Sequence, residues 1–525
     1  MSTETNNTEN QQLDSPLAYI YTGRRIIYTD ELEVNETNIQ KVLYETMPDH
    51  EANRTEMSEL FKYESGNQPI FYRVKDIRPE INIPACANYA REIVDFKLGY
   101  EFASPFTLVQ RAKDDFRKAD PKQDDKRISS LNEMFFEQDK PGKDLRLARN
   151  FKICGLAYMM AYPKKSNIGE VAPFDLLVLN PLNTYIVRTN DAYQRKVLAV
   201  TYTILKNGTK RITAYTNEWV FEGTMFGVEP EGDSVNGFKK TANQIGMIPI
   251  VEFENNHSRQ GAFEPVIPLM DALNIVNSDR VNDVAQYVQS ILWLHNCKID
   301  EDQKQELRDG GFIQTKTTAD GREAKVTYVT SPLEQSQTQT LVDYMYGQIL
   351  EIAGVPGRDT ATGGNTGSAI LLSNGWQIAE TQAKASEMAF AIPSKELLRV
   401  ILAIIQNTPN MPEELKTVGL SDVLFKSSRN RTYDLVSRTA AMNNMINIGI
   451  IPEKAIEVVD IFDDSHQVAM DSLERIDKIL FSQKETTQQE DKEPDMGDGN
   501  SVDGVKGTED VKLEQNRKES ESLAE

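Results

Sequence analysis

The chain has 525 residues, long enough for several structural units and a large core, and a formal net charge of −22 from 58 basic and 80 acidic side chains. That balance argues against a protein that grips nucleic acid tightly, because such grip comes from neutralising phosphates with Lys and Arg; it leaves room for one that nucleic acid merely passes. Three scattered cysteines (Cys86, Cys154, Cys297) form no CxxC and point to a reducing compartment, and no apolar run reaches the roughly 18–20 residues of a membrane span.

In chain order, residues 1–16 are polar and expected to be disordered, without the basic and apolar regions of a signal peptide. Residues 37–63 have helical spacing at Val42, Leu43, Met47, Met57, Leu60 and Phe61. A second helix is predicted over 84–98, with Pro84 near its start and Gly99 beyond its end. Residues 125–163 read as helical too. The character then changes: 174–191, 196–223 and 247–256 are rich in β-branched and aromatic residues, and Asn207-Gly208 marks a hairpin.

Residues 264–293 read as one long helix, apolar at Leu269, Leu273, Val276, Val284, Tyr287, Val288 and Ile291. Its other side carries Asn274, Asn277, Ser278, Asp283, Gln286 and Gln289, an amide-rich face suited to packing against neighbours or lining a watery channel. A compact insert follows over 294–331, with Asp320-Gly321 as a second hairpin signal. A helix from Leu333 to Ala353 has Leu341, Met345, Ile349 and Ile352 in register, so two helices bracket a small β module as an antiparallel pair. Residues 368–406 are largely helical, with Gly375 and Pro393 expected to bend them. A helical segment spans 434–481, broken at 449–452, and the tail from 484 has 13 acidic and 6 basic side chains, no aromatic residue and the composition of a disordered segment.

Catalytic motifs are missing. The loop VPGRDTATGGNTGSAIL (355–371) lacks the Gly-Lys-Ser/Thr of a nucleotide loop and follows a helix rather than a strand, so a flexible connection is the better reading. None of His50, His257, His295 and His466 is paired at metal-binding spacing; His295 and Cys297 lack a third member, and the acidic pairs Glu301-Asp302 and Asp463-Asp464 read as solvated surface. Neither an enzymatic activity nor a cofactor is expected.

The order of elements, with the block 247–298, resembles the portal proteins of tailed bacteriophages, in the branch typified by the Bacillus phage SPP1 portal. The residues carrying the likeness are Ile248-Pro249-Ile250, Phe253, Asn255-Asn256, Gly261, Glu264, Val266-Ile267, Leu269, Asp271 and Asn277-Ser278-Asp279. Support comes from Tyr63-Glu64-Ser65-Gly66, Ile93-Val94-Asp95, Gly99-Tyr100 and the loop segment NTGSAI; Glu64 and Ala103 depart from the family pattern.

The resemblance implies an α+β portal fold. After an N-terminal arm (1–36), a mixed α/β wing (37–263) leads to stem helix 1 (264–293), a small α/β clip (294–331) and stem helix 2 (332–354). A tunnel loop (355–368), a long kinked helix with wing return (369–433), a helical crown (434–481) and the acidic tail (482–525) complete it. It further implies a ring of copies, expected as a dodecamer, at one capsid vertex. That ring, assembled in the host bacterial cytoplasm, would conduct double-stranded DNA during packaging and ejection. It would bind large terminase, head-completion or adaptor proteins, and the major capsid and scaffolding proteins, with no membrane. Site residues implied are Arg358, Thr360, Thr362, Gly363, Gly364, Asn365, Thr366 and Gly367 in the tunnel loop; Asn277, Ser278, Asp279 and Arg280 in the stem; and Lys304, Arg308, Lys316, Arg322 and Lys325 in the clip. The alternatives are an ATP-dependent DNA-packaging enzyme and a channel-less capsid-associated scaffold.

Overall fold

A computed structural model describes residues 23–76, 79–102, 104–111, 126–164, 171–224, 238–288, 291–295, 325–329, 335–357, 375–427 and 435–459, with isolated positions at 461, 468 and 472. The elements below belong to the unit Met1–Ser465.

Helix α1 (Ile39–Glu64) follows the predicted spacing and serves two cores. Its first half puts Ile39, Val42, Leu43 and Met47 on a six-stranded sheet, and its second half puts Met57, Leu60 and Tyr63 among the other helices. The sheet runs β1 (Ile27–Thr29), β5 (Thr184–Thr189), β6 (Lys196–Ile204), β7 (Lys210–Tyr215), β8 (Trp219–Thr224), β9 (Phe238–Ala242). Its pairings are antiparallel except β1 with β5, where Ile27 lies opposite Val187 in parallel. The hairpin predicted at Asn207-Gly208 joins β6 to β7, with Gly208 at φ +81°, a conformation that costs glycine nothing.

Period-2 alternation sorts the side chains. Tyr185, Val187, Leu198, Val200 and Tyr202 face α1, while Ile186 and Ala199 face a three-stranded sheet. That sheet is β10 (Ile250–Glu254), β3 (Leu156–Pro163), β4 (Phe174–Leu179), all antiparallel. Leu156, Tyr158 and Met160 of β3 meet the larger sheet; Ala157, Met159 and Ala161 meet the helical core. The expectation of helix over 125–163 is therefore corrected at its end. Helices α3 (Lys126–Glu137) and α4 (Lys140–Cys154) form, but 156–163 is a strand, buried on both faces over 156–161, whose apolar run carries no period to tell it from a helix.

Helix α2 starts at Tyr89 and runs through Gly99 to Glu101, so Gly99 does not end it and 84–88 precedes it. A 3-10 turn at Glu264–Val266 opens onto α5 (Ile267–Val288), which also differs from expectation: residues 291–293 are not helix but part of strand β11 (Ile291–His295). Ile-Leu-Trp-Leu-His suits a strand, and it pairs antiparallel with β12 (Lys325–Val329), Ile291 opposite Val329 and His295 opposite Lys325. Helix α6 (Gln335–Ala353) returns alongside α5, its C-terminal end near 264–266. Met345 and Ile349 are buried as expected, whereas Leu341 and Ile352 are exposed.

Helix α7 (Trp376–Asn407) contains Pro393, and Gly375 caps its start at φ +78° rather than bending its interior. Its second half, Leu397 to Ile405, fills the main core. Short helix α8 (Glu413–Lys416) leads to β13 (Val423–Ser427), which pairs with β2 (Phe106–Gln110) and returns the chain to its N-terminal part. Helices α9 (Leu435–Asn447) and α10 (Pro452–Val459) flank Gly449 at φ +96°, the predicted break. Residues 1–16, the Asp320-Gly321 hairpin and the acidic tail lie outside the described residues, as does the final predicted helix apart from Val468 and Ser472.

Candidate functional site: the helix pair and its strap

Among the stem residues singled out by sequence, Asn277, Ser278, Asp279 and Arg280 all sit on α5. The structure separates them. Asn274, Ser278 and Asn282, spaced four apart, are each 2 % exposed or less. They hold the backbone of residues 83–87, here called the strap. Asn282 Oδ1 accepts from the Ile83 N–H at 2.7 Å, Ser278 Oγ from Ala85 at 2.9 Å and Asn274 Oδ1 from Ala87 at 2.9 Å.

The spacing has a simple origin. Two residues of extended chain rise ~6.6 Å and four of helix rise ~6 Å, so alternate strap amides find every fourth side chain of an antiparallel helix. Among the described residues the strap has no strand partner, and amides shielded from water without acceptors are costly; short polar side chains on α5 take the place of a ladder. The amide-rich face was expected to pack against neighbours or line a channel. This row of it is turned inward instead, to serve the chain's own backbone.

The network continues. Asn274 Nδ2 donates to Gln68 Oε1 at 2.6 Å, and Gln68 Nε2 donates to the Tyr63 carbonyl and to Asn88 Oδ1 at 3.2 Å each. Tyr63 Oη donates to Asp271 Oδ1 at 2.8 Å. Burial pushes the Asp271 carboxyl up to about 6 against that hydrogen bond. Asp279 takes Arg73 at 2.9 Å and Lys75 at 3.3 Å, fixing the chain that leads into the strap. Asn277 and Arg280 instead line a recess of about 550 Å³, with strap residues 85–87 and Val281 and Val284 of α5.

Above this network, α5 is rooted in a junction of three backbones. Gly155 ends α4 at φ +85°, and a Cβ there would lie 2.2 Å from the Arg259 carbonyl oxygen; one on Gly261 would lie 2.1 Å from that of Ile153. Arg24 of the N-terminal arm bonds Glu264 at 2.9 Å and donates its N–H to the Arg259 carbonyl at 3.0 Å. Burial pushes Glu264 up to about 7, opposed by Arg24 and by the Gly261 N–H at 2.6 Å. Burial acts the same way on Glu252, but Arg259, Arg188 and Lys196 outweigh it and hold that carboxylate below its ordinary range. The residues Gly261, Glu264 and Asp271 that carried the resemblance thus have structural work: they bind the arm, the turn and α1 to the head of α5.

Chemistry is sparse elsewhere. Among the described residues no group of three or more His, Cys, Asp and Glu could hold a metal ion, and no helix is long and apolar enough to cross a membrane. His50 is a core residue, stacked on Tyr185 with ring centres 4.5 Å apart and pushed down to about 4 by burial. Lys325 is exposed on β12. The other clip residues (Lys304, Arg308, Lys316, Arg322), Cys297, and all the tunnel-loop positions from Arg358 to Gly367 lie outside the described residues.

The sequence pattern of the phage portal protein family, SPP1 Gp6-like, matches residues 46–489. The chain belongs to that family. The matched span runs from Thr46, within α1, through α10, and includes both helices of the α5–α6 pair and the strap that α5 holds. No curated protein matches the chain. The family is one of phage structural proteins of the capsid vertex rather than of enzymes, which accords with the mixed helix-and-sheet architecture.

Proposed function

We propose that copies of this chain form a ring, a dodecamer, at the unique vertex of a phage capsid. The ring is the channel for DNA packaging and ejection, and the docking platform for large terminase and head-completion proteins. In that ring α5 and α6 are the stem, the segment from β11 to β12 is the clip, and the chain between α6 and α7 is the tunnel loop. The observation that carries the reading is the family match over 46–489.

Physical chemistry supports it. A net charge of −22 suits a passage through which a duplex must slide, because each fixed cation facing phosphate would add affinity and slow release. Glycine and hydroxyl residues between Arg358 and Gly367 supply backbone freedom and short, exchangeable contacts. Head-to-tail contacts close such a ring, and strands of neighbouring clips complete one another's sheets and remove edges.

The test is packaging by capsid precursors assembled with and without this chain, with purified terminase and ATP supplied. DNA should be protected from nuclease only when the chain is present. Equal protection without it, or robust ATP turnover by the chain alone, contradicts the reading.

A further inference from the structure

Among the described residues, two surfaces of the helix pair are left uncovered within one chain, and they are complementary. The first is the recess between the strap and α5, with Val281 and Val284 exposed beside Ala85, Cys86 and Arg280. The second is a stripe on α6, where Leu341, Tyr344 and Ile352 are exposed, Tyr344 by 64 %.

They lie on opposite flanks. The Tyr346 ring packs against Tyr89, the first residue of α2 after the strap, at 5.0 Å, so that side of α6 faces α2. Tyr344 is two residues away, about 200° around the helix, and points to the other flank. The surfaces also lie at the same height. The paired strands β11 and β12 follow α5 and precede α6, so Val288 and Gln335 are taken as the foot of the pair. Val281 and Val284 stand ~10 and ~6 Å above that foot; Leu341 and Tyr344 stand ~9 and ~14 Å above it. A rotation about an axis along the pair preserves height, as a head-to-tail ring contact requires. Charge agrees: α6 carries Asp343 and Glu351 and no Lys or Arg, while the recess presents Arg280.

We infer that the α6 stripe of one copy seats in the strap recess of the next, Leu341 and Tyr344 against Val281, Val284 and Cys86, with Asp343 toward Arg280. The inference rests on the ring reading above and names the surface that closes it. It also gives the strap ladder a purpose, since a strap fixed from behind by Asn274, Ser278 and Asn282 is a firm wall for a neighbour.

The experiment uses the full chain. Tyr344→Cys, treated with a short bis-maleimide, should give a covalent ladder of dimers and higher species that disappears when Cys86→Ser is added. Independently, Arg280→Glu and Asp343→Arg should each lower the association constant, measured by mass photometry, by about two- to fivefold per contact, and the double reversal should restore it. Intact rings with neither a Cys86-dependent ladder nor rescue by the double reversal overturn the interface and leave the ring standing. A wild-type chain that never forms rings overturns the ring reading, and the interface with it.

Discussion

Removing the Ser278 hydroxyl tests the strap ladder where it is simplest. In Ser278→Ala the part-buried Ala85 N–H loses its acceptor at 2.9 Å. An orphaned buried amide costs about 1–3 kcal/mol, which makes opening of the strap about 5- to 150-fold more frequent. Replacing Asn274, Ser278 and Asn282 together orphans three strap amides and the buried Gln68 Oε1, nominally about 4–12 kcal/mol. That sum is not reached, because releasing the strap returns about 1–2 kcal/mol of backbone entropy per residue and lets water satisfy the amides. The triple variant should therefore keep its fold with the strap undocked. Hydrogen exchange read by mass spectrometry is the assay: peptides over 82–88 should exchange faster in Ser278→Ala and lose protection in the triple variant, while peptides of β6 stay unchanged. Asn277→Ala, one position along and facing the recess, is the control and should leave strap exchange within about twofold. Unchanged strap exchange in Ser278→Ala, or an equal effect of Asn277→Ala, would refute the reasoning.

Gly155→Ala should destabilise by more than about 3 kcal/mol, because left-handed strain of about 1–2 kcal/mol is joined by a collision with the Arg259 carbonyl. Gly208→Ala, also left-handed but with open space around it, should lose only the strain; urea denaturation separates the two. Asp271→Asn should alter pH dependence in a defined direction. With a folded value raised to about 6, the protonated carboxyl adds stability that is complete below pH ~4 and is lost as pH rises through 6, so the variant should gain against wild type between pH 4.5 and pH 8. About 1 kcal/mol is expected after solvent screening, read as a difference in Tm shift, and a loss at pH 8 would contradict it. Bulky β-branched residues at Gly363, Gly364 and Gly367 should leave ring assembly intact and impair DNA packaging; normal packaging would leave that loop without a transport role.

Much of the fold follows from local pattern. The spacing of Val42, Leu43, Met47 and Met57 marks α1, and Asn207-Gly208 marks the β6–β7 turn. What stayed hidden depended on distant partners. LAYMMAYP gives no period because the helical core covers one face and the larger sheet the other, and both come from elsewhere in the chain. Arg24 and Glu264 are 240 residues apart, and no local signal pairs them. The polar row of α5 was legible as a row and misread as a surface. Polar side chains four apart ordinarily face water, and only the unladdered strap opposite them turns the row inward. The 274/278/282 spacing, set beside a proline-led segment too irregular for a sheet, was the available clue.

The central claim is a ring with a hole. Electron microscopy of the purified full chain, by negative stain and then in vitreous ice, tests it most directly. The account predicts closed rings of one symmetry with a central channel wide enough for a DNA duplex. A population of monomers, or of closed assemblies lacking a channel, at concentrations where the chain is folded would contradict it.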